Sequence, residues 1–224
     1  MTSVRIPKWP WRIVHNLADR RGVNVWLVGG AVRDLLLGRP VHDWDFVADH
    51  DALALARATG DALDGYFFPL DEERGTARVV LATGGTRYLE LDFASQRGAD
   101  LEADLAGRDF TINAMAVSPD HRLIDPLAGL KDLKAGLIRA THDEAFDDDP
   151  VRLLRAVRLE AELAFEIEPQ TERWVRGKAP LVRQPAPERL RDEVARGLAV
   201  PGVSAFIRRL DELRLLQHLL PELV

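Results

Sequence analysis

The chain has 224 residues, enough for one large domain or two small ones, and its net charge of −6 is not typical of a nonspecific nucleic-acid binder. The absence of cysteine excludes disulfides and thiolate metal sites. The sequence also lacks a run of about eighteen apolar residues, the length that could span a membrane, so a soluble cytoplasmic protein is predicted. Residues 1–150 hold 17 basic and 25 acidic side chains, a net charge of −8, whereas residues 151–224 hold 13 and 11, a net charge of +2. Because RNA is a polyanion, any RNA partner is expected to meet the C-terminal part.

A strand, a glycine turn, a short helix and a second strand are predicted near the N-terminus. The β-rich run Val25–Val28 ends at Gly29 and Gly30, where the missing Cβ atoms let the backbone turn sharply and approach a ligand closely. A short helix is predicted over residues 31–37, and the alternation of residues 42–48 predicts the second strand. The turn and the helix start would present backbone N–H groups to a phosphate.

Asp43 and Asp45 lie two residues apart on this second strand, so their carboxylates point to the same face. Oxygen ligands at a fixed separation suit Mg²⁺, which proteins usually hold with one or two carboxylates plus substrate phosphates. Arg33 on the short helix would add positive charge for a triphosphate. From these residues alone, a structural connection with two solvated aspartates stays open as an alternative.

The following segment predicts a helix over 51–63, a strand over 66–70, and a hairpin of 77–82 and 86–94 with a glycine turn at 83–85. Other predicted elements are the helices 9–21, 171–177, 188–198 and 203–217 and a hairpin of 114–117 and 123–126.

Glu90 and Asp92 share one face of the second hairpin strand. If that strand neighbours the strand of Asp43 and Asp45, one of these two acids becomes a third carboxylate of a metal site. The alternative is a solvated polar face.

The string DDDPVRLLRAVRLEAEL predicts a helix with Pro150 at its first position and Asp149 as its N-cap. On this helix Arg152, Arg155 and Arg158 would share one face opposite an apolar face. Taken alone, these residues also fit a capped helix with a solvated basic face.

Several of these strings together resemble the class II tRNA nucleotidyltransferase and bacterial poly(A) polymerase family. They are GGAVRD and DWD within residues 29–45, GRDFTINA at 107–114, IDPLAGLKDLKAGLIRA at 124–140, DDPVRLLR at 148–155 and ERLRDEVARGL at 188–198. Two positions depart from the family pattern, since Gly107 replaces an arginine and Asp148 replaces a glutamate. The resemblance, which covers roughly residues 23–222, implies an α/β nucleotidyltransferase (polymerase-β-like) head with a mixed sheet over 1–140 and an all-α neck over 141–224.

The resemblance also implies roles for individual residues. Asp43 and Asp45 would be catalytic and bind Mg²⁺, with Asp92 assisting as a further catalytic acid. Asp149 and Arg152 would read the nucleobase edge in place of a template, admitting C and A but not U and G. The residues implied in nucleotide binding are Gly29, Gly30, Arg33, Asp34, Arg108, Asp109, Asn113, Asp149, Arg152, Arg155 and Arg158.

The implied activity is the template-independent addition of C, A or both, from CTP and ATP, to a tRNA 3′ end by two-metal phosphoryl transfer. The family resemblance leaves two alternatives open, a poly(A) polymerase and a truncated or catalytically weak RNA-binding module. Full CCA-adding members usually have a longer loop before the second motif, and members without it tend to add only cytidines; here that connection is short. Family enzymes commonly continue into helical body and tail domains, and the oligomeric state is not implied.

Overall fold

The computed structural model describes residues 2–82 and 88–223, so the predicted glycine turn at 83–85 lies outside the described residues. Within these ranges the strands are β1 (Val25–Val28), β2 (Asp43–Ala48), β3 (Tyr66–Asp71), β4 (Thr76–Ala82), β5 (Tyr88–Ser95), β6 (Ala116–Val117), β7 (Leu123–Ile124), β8 (Leu137–Ile138) and β9 (Glu166–Ile167). The α-helices are α1 (Trp11–Asp19), α2 (Gly29–Leu36), α3 (Ala52–Leu63), α4 (Leu101–Ala106), α5 (Gly129–Ala135), α6 (Ala145–Asp148), α7 (Arg152–Leu163), α8 (Pro169–Gly177), α9 (Pro187–Leu198), α10 (Val203–Glu212) and α11 (Leu216–Leu219). Among the described helices, none is both long enough and apolar enough to cross a bilayer.

The chain divides into two compact units. Unit 1 contains Met1–Ala106 and Asn113–Leu127, and unit 2 contains Gly107–Ile112 and Ala128–Val224. The string GRDFTINA is therefore shared between them, since the chain leaves unit 2 after Ile112. The predicted boundary between head and neck after residue 140 concerns functional domains and stays a prediction.

Unit 1 is built on a seven-stranded sheet in the order β3-β4-β5-β2-β1-β6-β7. Five neighbouring pairs are antiparallel, and β2 pairs with β5 in parallel. The predicted mixed sheet is confirmed. The parallel pair places the strand of Asp43 and Asp45 directly beside the strand of Glu90 and Asp92, which the hairpin pattern alone left undecided.

The two faces of this sheet are covered differently. On one face α3 packs against β4 and β5, over the buried rings of Phe46 and Phe93, whose centroids are 5.0 Å apart. On the other face, Val28 and Val47 belong to an apolar cluster with Leu101 and Leu105 of α4. Because alternate residues of a strand point to opposite faces, Asp43 and Asp45 lie on the same face as Val47.

Unit 2 is largely helical, as predicted for the neck, with one short parallel pair of β8 and β9. Its central helix α7 packs against α9 and α10 and buries Leu153, Leu154 and Val157. These apolar residues recur at the spacing of one helix face, which explains why the local pattern predicted this helix.

The last helix is shorter than predicted. The expected continuous helix 203–217 ends at Glu212, and α11 begins at Leu216. Arg214 between them has a left-handed backbone with φ of 62°, and the flanking Leu213 and Leu215 are both fully buried. The break lets two leucines that a continuous helix would separate by about 200° both enter the core.

Substitution of Gly197 by alanine should lower the free energy of unfolding by about 1–3 kcal/mol, measured by urea denaturation. A Cβ atom at Gly197 would stand 2.2 Å from the Phe206 ring, which is itself buried and cannot move aside freely. Gly177→Ala is the matched control, because a Cβ at that helical position meets nothing within 4 Å. Equal stability of the Gly197→Ala and Gly177→Ala variants would contradict tight packing of α9 on α10.

Candidate active site

The predicted glycine turn between β1 and α2 is present. Gly29 has φ of 71°, a left-handed conformation that a side chain would strain, and its N–H donates to the Met115 carbonyl at 3.3 Å. The helix begins at Gly29 itself, two residues earlier than predicted. The sharp turn therefore places the first N–H groups of α2 at the end of β1.

Four of the residues implied in nucleotide binding meet behind this turn. The buried Arg33 guanidinium donates to both oxygens of Asp34, at 2.9 and 3.1 Å, and to Asn113 Oδ1 at 2.9 Å. A Cβ atom built on Gly30 would lie 3.4 Å from Arg33 Nη2, so the guanidinium packs against the glycine. Three of these residues lie in one motif and Asn113 lies in the next, and the fold brings them together.

The strand register places four carboxylates on one sheet face. Asp45 lies opposite Asp92, and Asp43 lies opposite Glu90, in the parallel pair of β2 and β5. Asp43 is exposed and Asp45 is half-buried. Within the described residues, no three His, Asp or Glu side chains are grouped in a way that could hold a metal ion.

Arg78 on β4 explains why the third acid is not available in this arrangement. Its Nε and Nη2 donate to the two oxygens of Asp92 at 2.7 and 2.8 Å, and its Nη1 lies 2.5 Å from Glu90 Oε2. The hydrogen bond to Asp92 raises the pKa of Arg78, and the charges of Glu90 and Asp43 raise it further. Glu90 and Asp92 are thus both paired with Arg78.

Sequence reasoning missed Arg78, although a signal existed. It is the lone cation in the apolar strand TARVVLA, and the hairpin pairing sets it opposite Asp92. A cation in such a strand is a candidate partner for an acid on the facing strand.

The arginines of α7 are buried or half-buried and paired, so the alternative prediction of a solvated basic face on this helix is wrong. Arg152 is 9% exposed and donates to the carbonyl oxygens of Ala145 and Gly107, both at 3.1 Å. Burial lowers the pKa of Arg152, and the charges of Asp109 and Asp149 oppose that shift. The guanidinium is therefore held in one orientation by backbone groups.

Arg155 and Arg158 share one buried acid, Glu193 of α9. Arg155 Nε donates to Glu193 Oε1 at 2.9 Å, Arg158 Nε donates to Oε2 at 2.6 Å, and Arg155 Nη1 donates to Asp109 Oδ2 at 3.1 Å. Burial alone lowers the pKa of Arg155, but the carboxylates of Asp109 and Glu193 outweigh it and raise that pKa. Glu193 was not a predicted site residue, although its spacing from Leu190 and Gly197 placed it on the inner face of α9.

Asp149 is not the N-cap of α7. The cap position is Val151 without a side-chain hydrogen bond, and Asp149 instead accepts from Arg189 of α9 through both oxygens, at 3.0 and 2.7 Å. A guanidinium that binds both oxygens is a stronger partner than a single backbone N–H. Arg189 lies forty residues away, so the local pattern carried no sign of this pair.

The segment Gly107–Ile112 joins unit 2 through its backbone. Phe110 pairs with Ala140, and the Thr141 hydroxyl donates to the Arg108 carbonyl at 2.5 Å. Asp109 Oδ1 accepts from the N–H of Phe110 at 2.7 Å, so this side chain has a local backbone partner in addition to Arg155.

A cleft of about 850 Å³ in unit 1 lies away from the carboxylates. Asp51, Arg74, Ser95 and Arg97 are among its lining residues. Ser95 is five residues, or about 17 Å, along β5 from the row of Asp43. Asp43 and Asp45 therefore lie on the sheet surface and not in this cleft.

Comparison with known proteins gives two family matches. Residues 25–139 match the model described as "Poly A polymerase head domain", and residues 164–224 match "Probable RNA and SrmB- binding site of polymerase A". A CC-adding tRNA nucleotidyltransferase of Geobacter sulfurreducens is 45% identical over 200 residues, which are 89% of this chain and 46% of that protein. An A-adding tRNA nucleotidyltransferase of Deinococcus radiodurans is 44% identical over 202 residues, 88% of this chain and 45% of that protein.

The fold agrees with these matches. The structure of the Thermotoga maritima CCA-adding enzyme complexed with tRNA superposes with a TM-score of 0.85 at 35% identity, covering 99% of this chain and 57% of that one. The chain spans about half the length of the curated relatives that it matches. Because the head-domain model covers more than half of the chain, this protein belongs to the poly(A) polymerase head-domain family, in which its relatives are tRNA nucleotidyltransferases.

Proposed function

We propose that this protein transfers CMP, AMP or both from CTP and ATP to the 3′ end of a tRNA, in the cytoplasm. One observation carries the proposal: Asp43 and Asp45 alternate on β2 beside the Gly29 turn, on the sheet face where the parallel strand β5 places Glu90 and Asp92 opposite them. Family membership and the names of the relatives support the substrate class.

Asp43 and Asp45 fit Mg²⁺, because proteins usually hold this ion with one or two carboxylates and leave its other ligands to substrate phosphates and water. When bound, one ion would lower the pKa of the RNA 3′-hydroxyl, and a second would offset the charge of the triphosphate. The 3′-hydroxyl gives its proton to solvent and its oxygen forms a bond to the α-phosphorus, while the bond from that phosphorus to the oxygen bridging the α- and β-phosphates breaks and pyrophosphate leaves. The N–H groups of α2 and the fixed Arg33 would hold the phosphates, with Gly30 allowing close approach.

Asp149 and Arg152 would select the base. A carboxylate accepts from the exocyclic amine of C or A, whereas U and G present a carbonyl at that point and leave two acceptors facing each other. Binding of a base to Asp149 would replace at least part of its pairing with Arg189. Arg152, which two backbone carbonyls orient, can then donate its remaining N–H groups to the ring.

Cytidine addition is the first activity to expect. The connection from β5 to α4 contains only residues 96–100, and the short connection is the feature that we associate with CC addition. Sequence identity does not decide this point, because the CC-adding and A-adding relatives are 45% and 44% identical.

An incorporation assay tests the proposal. Three tRNA substrates lacking CCA, CA or A receive CTP, ATP, UTP or GTP singly, or CTP with ATP, in the presence of Mg²⁺, and product lengths and sequences are read. Addition that stops after CC identifies a CC-adding enzyme, and a single A on the CC-ended tRNA identifies A or CCA addition. Long A tracts would instead identify a poly(A) polymerase, and no product on any substrate contradicts the proposal.

Arg152→Ala should relax base choice, lowering the ratio of CTP to UTP incorporation by about tenfold, since a lost bidentate contact contributes about 1–3 kcal/mol of discrimination. The measured quantity is kcat/KM for each nucleotide on the same tRNA. Arg176→Ala, which removes an exposed arginine of α8, is the control. Discrimination unchanged from that of the unsubstituted protein would refute the role of Arg152.

A further inference from the structure

Aromatic side chains lie exposed on the sheet of unit 1. Tyr66 and Phe68 on β3 are 67% and 49% exposed, and Tyr88 on β5 is 64% exposed. Phe67 points to the opposite face, where the Arg57 guanidinium of α3 lies 4.3 Å from its ring centroid. Tyr66 and Phe68 therefore point away from α3. We call these three rings, Tyr66, Phe68 and Tyr88, the aromatic face.

The aromatic face is continuous with the candidate active site. Phe68 lies opposite Arg78 on β4, Arg78 lies opposite Asp92 on β5, and Asp92 lies opposite Asp45 on β2. Residues directly opposite each other on paired strands share a face. The next row, in the same strand order, contains Tyr66, Val80, Glu90 and Asp43. With strands about 4.8 Å apart, the rings of β3 stand about 14 Å from the strand of the two aspartates.

We propose that the aromatic face is a stacking platform for the unpaired nucleotides that precede the RNA 3′-hydroxyl. This inference rests on the proposed function, which brings that hydroxyl to Asp43 and Asp45. The preceding nucleotides must then lie on adjoining surface, and the aromatic face adjoins the carboxylates on the same side of the sheet. Bases of any sequence stack on tyrosine and phenylalanine rings, because every base has a π-face.

Arg78 lies between the aromatic face and the two aspartates, and its positive charge makes this surface less repulsive to RNA than Glu90 and Asp92 alone would. Arg78 binds Glu90 and Asp92, so the surface that the RNA backbone must cross carries a cation among its acids. The Arg78 side chain is also 36% exposed, which leaves it within reach of a phosphate.

The β3 edge is poorly suited to a protein partner that would add a strand. Pro69 lacks a backbone donor, and the register with β4 shifts between Pro69 and Asp71. Proline and irregular register are features by which proteins block pairing at an edge strand. Single-stranded RNA needs no backbone pairing and uses the exposed rings directly.

The test compares variants that keep apolar area with variants that keep the ring. Tyr66→Leu combined with Phe68→Leu removes two rings, Tyr66→Phe keeps a ring without its hydroxyl, and Tyr88→Leu removes the ring on β5. Trp9→Leu is the control, because Trp9 is an aromatic residue 48% exposed outside the strands of the sheet. Circular dichroism confirms that each variant is folded, and Tyr88→Leu is the independent probe if the double variant is not.

Binding of a fluorescein-labelled, single-stranded RNA heptamer is measured by fluorescence anisotropy, together with KM for tRNA and for CTP. Each lost ring should raise the Kd for RNA about tenfold, or about 1.4 kcal/mol, so the double variant should lose about a hundredfold. The KM for tRNA should rise in parallel, while kcat and the KM for CTP stay unchanged. Tyr66→Phe and Trp9→Leu should bind the heptamer like the unsubstituted protein.

Unchanged RNA affinity in the double variant overturns the stacking platform. A dimer that dissociates in the double variant while RNA affinity is retained assigns the aromatic face to a second copy of the chain and also overturns it. If the unsubstituted protein incorporates no nucleotide, the proposed function fails, and the anisotropy series still decides whether the rings bind RNA.

Discussion

Asp45→Asn is expected to lower nucleotide incorporation at least about a thousandfold while leaving the fold and the RNA affinity nearly unchanged. Asparagine keeps the shape of Asp45 but removes one of the two charges that would hold Mg²⁺ at this strand. Stabilisation by a bound metal contributes several kcal/mol to a transition state, and each 1.4 kcal/mol or so is tenfold in rate. The measurement is single-turnover incorporation of labelled CTP at saturating Mg²⁺ and tRNA.

Two further variants make this result specific. Asp61→Asn changes an exposed aspartate on α3 and should incorporate CTP at the normal rate. Asp92→Asn should cost less than Asp45→Asn, because Arg78 binds both oxygens of Asp92. An incorporation rate of Asp45→Asn within tenfold of the unsubstituted protein would contradict the two-carboxylate site. If Asp92→Asn loses as much of the incorporation rate as Asp45→Asn, Asp92 must leave Arg78 during the reaction.

Glu193→Ala should lower the free energy of unfolding by about 3 kcal/mol, because the Nε–H groups of two arginines lose their shared charged acceptor, and an unsatisfied buried donor costs about 1–3 kcal/mol. Glu193 is 6% exposed and binds the Nε atoms of both Arg155 and Arg158. Its loss leaves Arg155 with Asp109 and leaves Arg158 with Glu162, an i, i+4 neighbour. Urea denaturation followed by circular dichroism measures the change.

Asp192→Ala on the same helix is the matched control. The pair of Asp192 with Arg191 is exposed and 3.4 Å long, so its loss should change stability by less than about 0.5 kcal/mol. Glu193→Gln, which keeps an acceptor oxygen but no charge, should fall between the two. Similar stability of Glu193→Ala and Asp192→Ala would show that the buried arginines do not depend on Glu193.

Much of the fold was predictable because it depends on neighbouring residues. Alternation marked β2, a 3.6-residue period marked α7 and α9, and two glycines marked the turn at Gly29, since each of these signals acts within a few residues. The boundaries were less certain. The break at Arg214 depends on the burial of Leu213 and Leu215, which no local pattern records.

The sequence by itself determined that two carboxylates share the face of one strand beside a glycine turn. Its motifs also carry the family resemblance, which implies the reaction at these two carboxylates. Only the tertiary structure decided the partners of the other charged residues. Arg78 binds Asp92, Glu193 binds the arginines of α7, and Arg189 binds Asp149. The residues of these pairs are 14 to 40 positions apart. The physical reason is that a strand or helix pattern specifies which way a side chain points, whereas its partner is specified by strand register and helix packing.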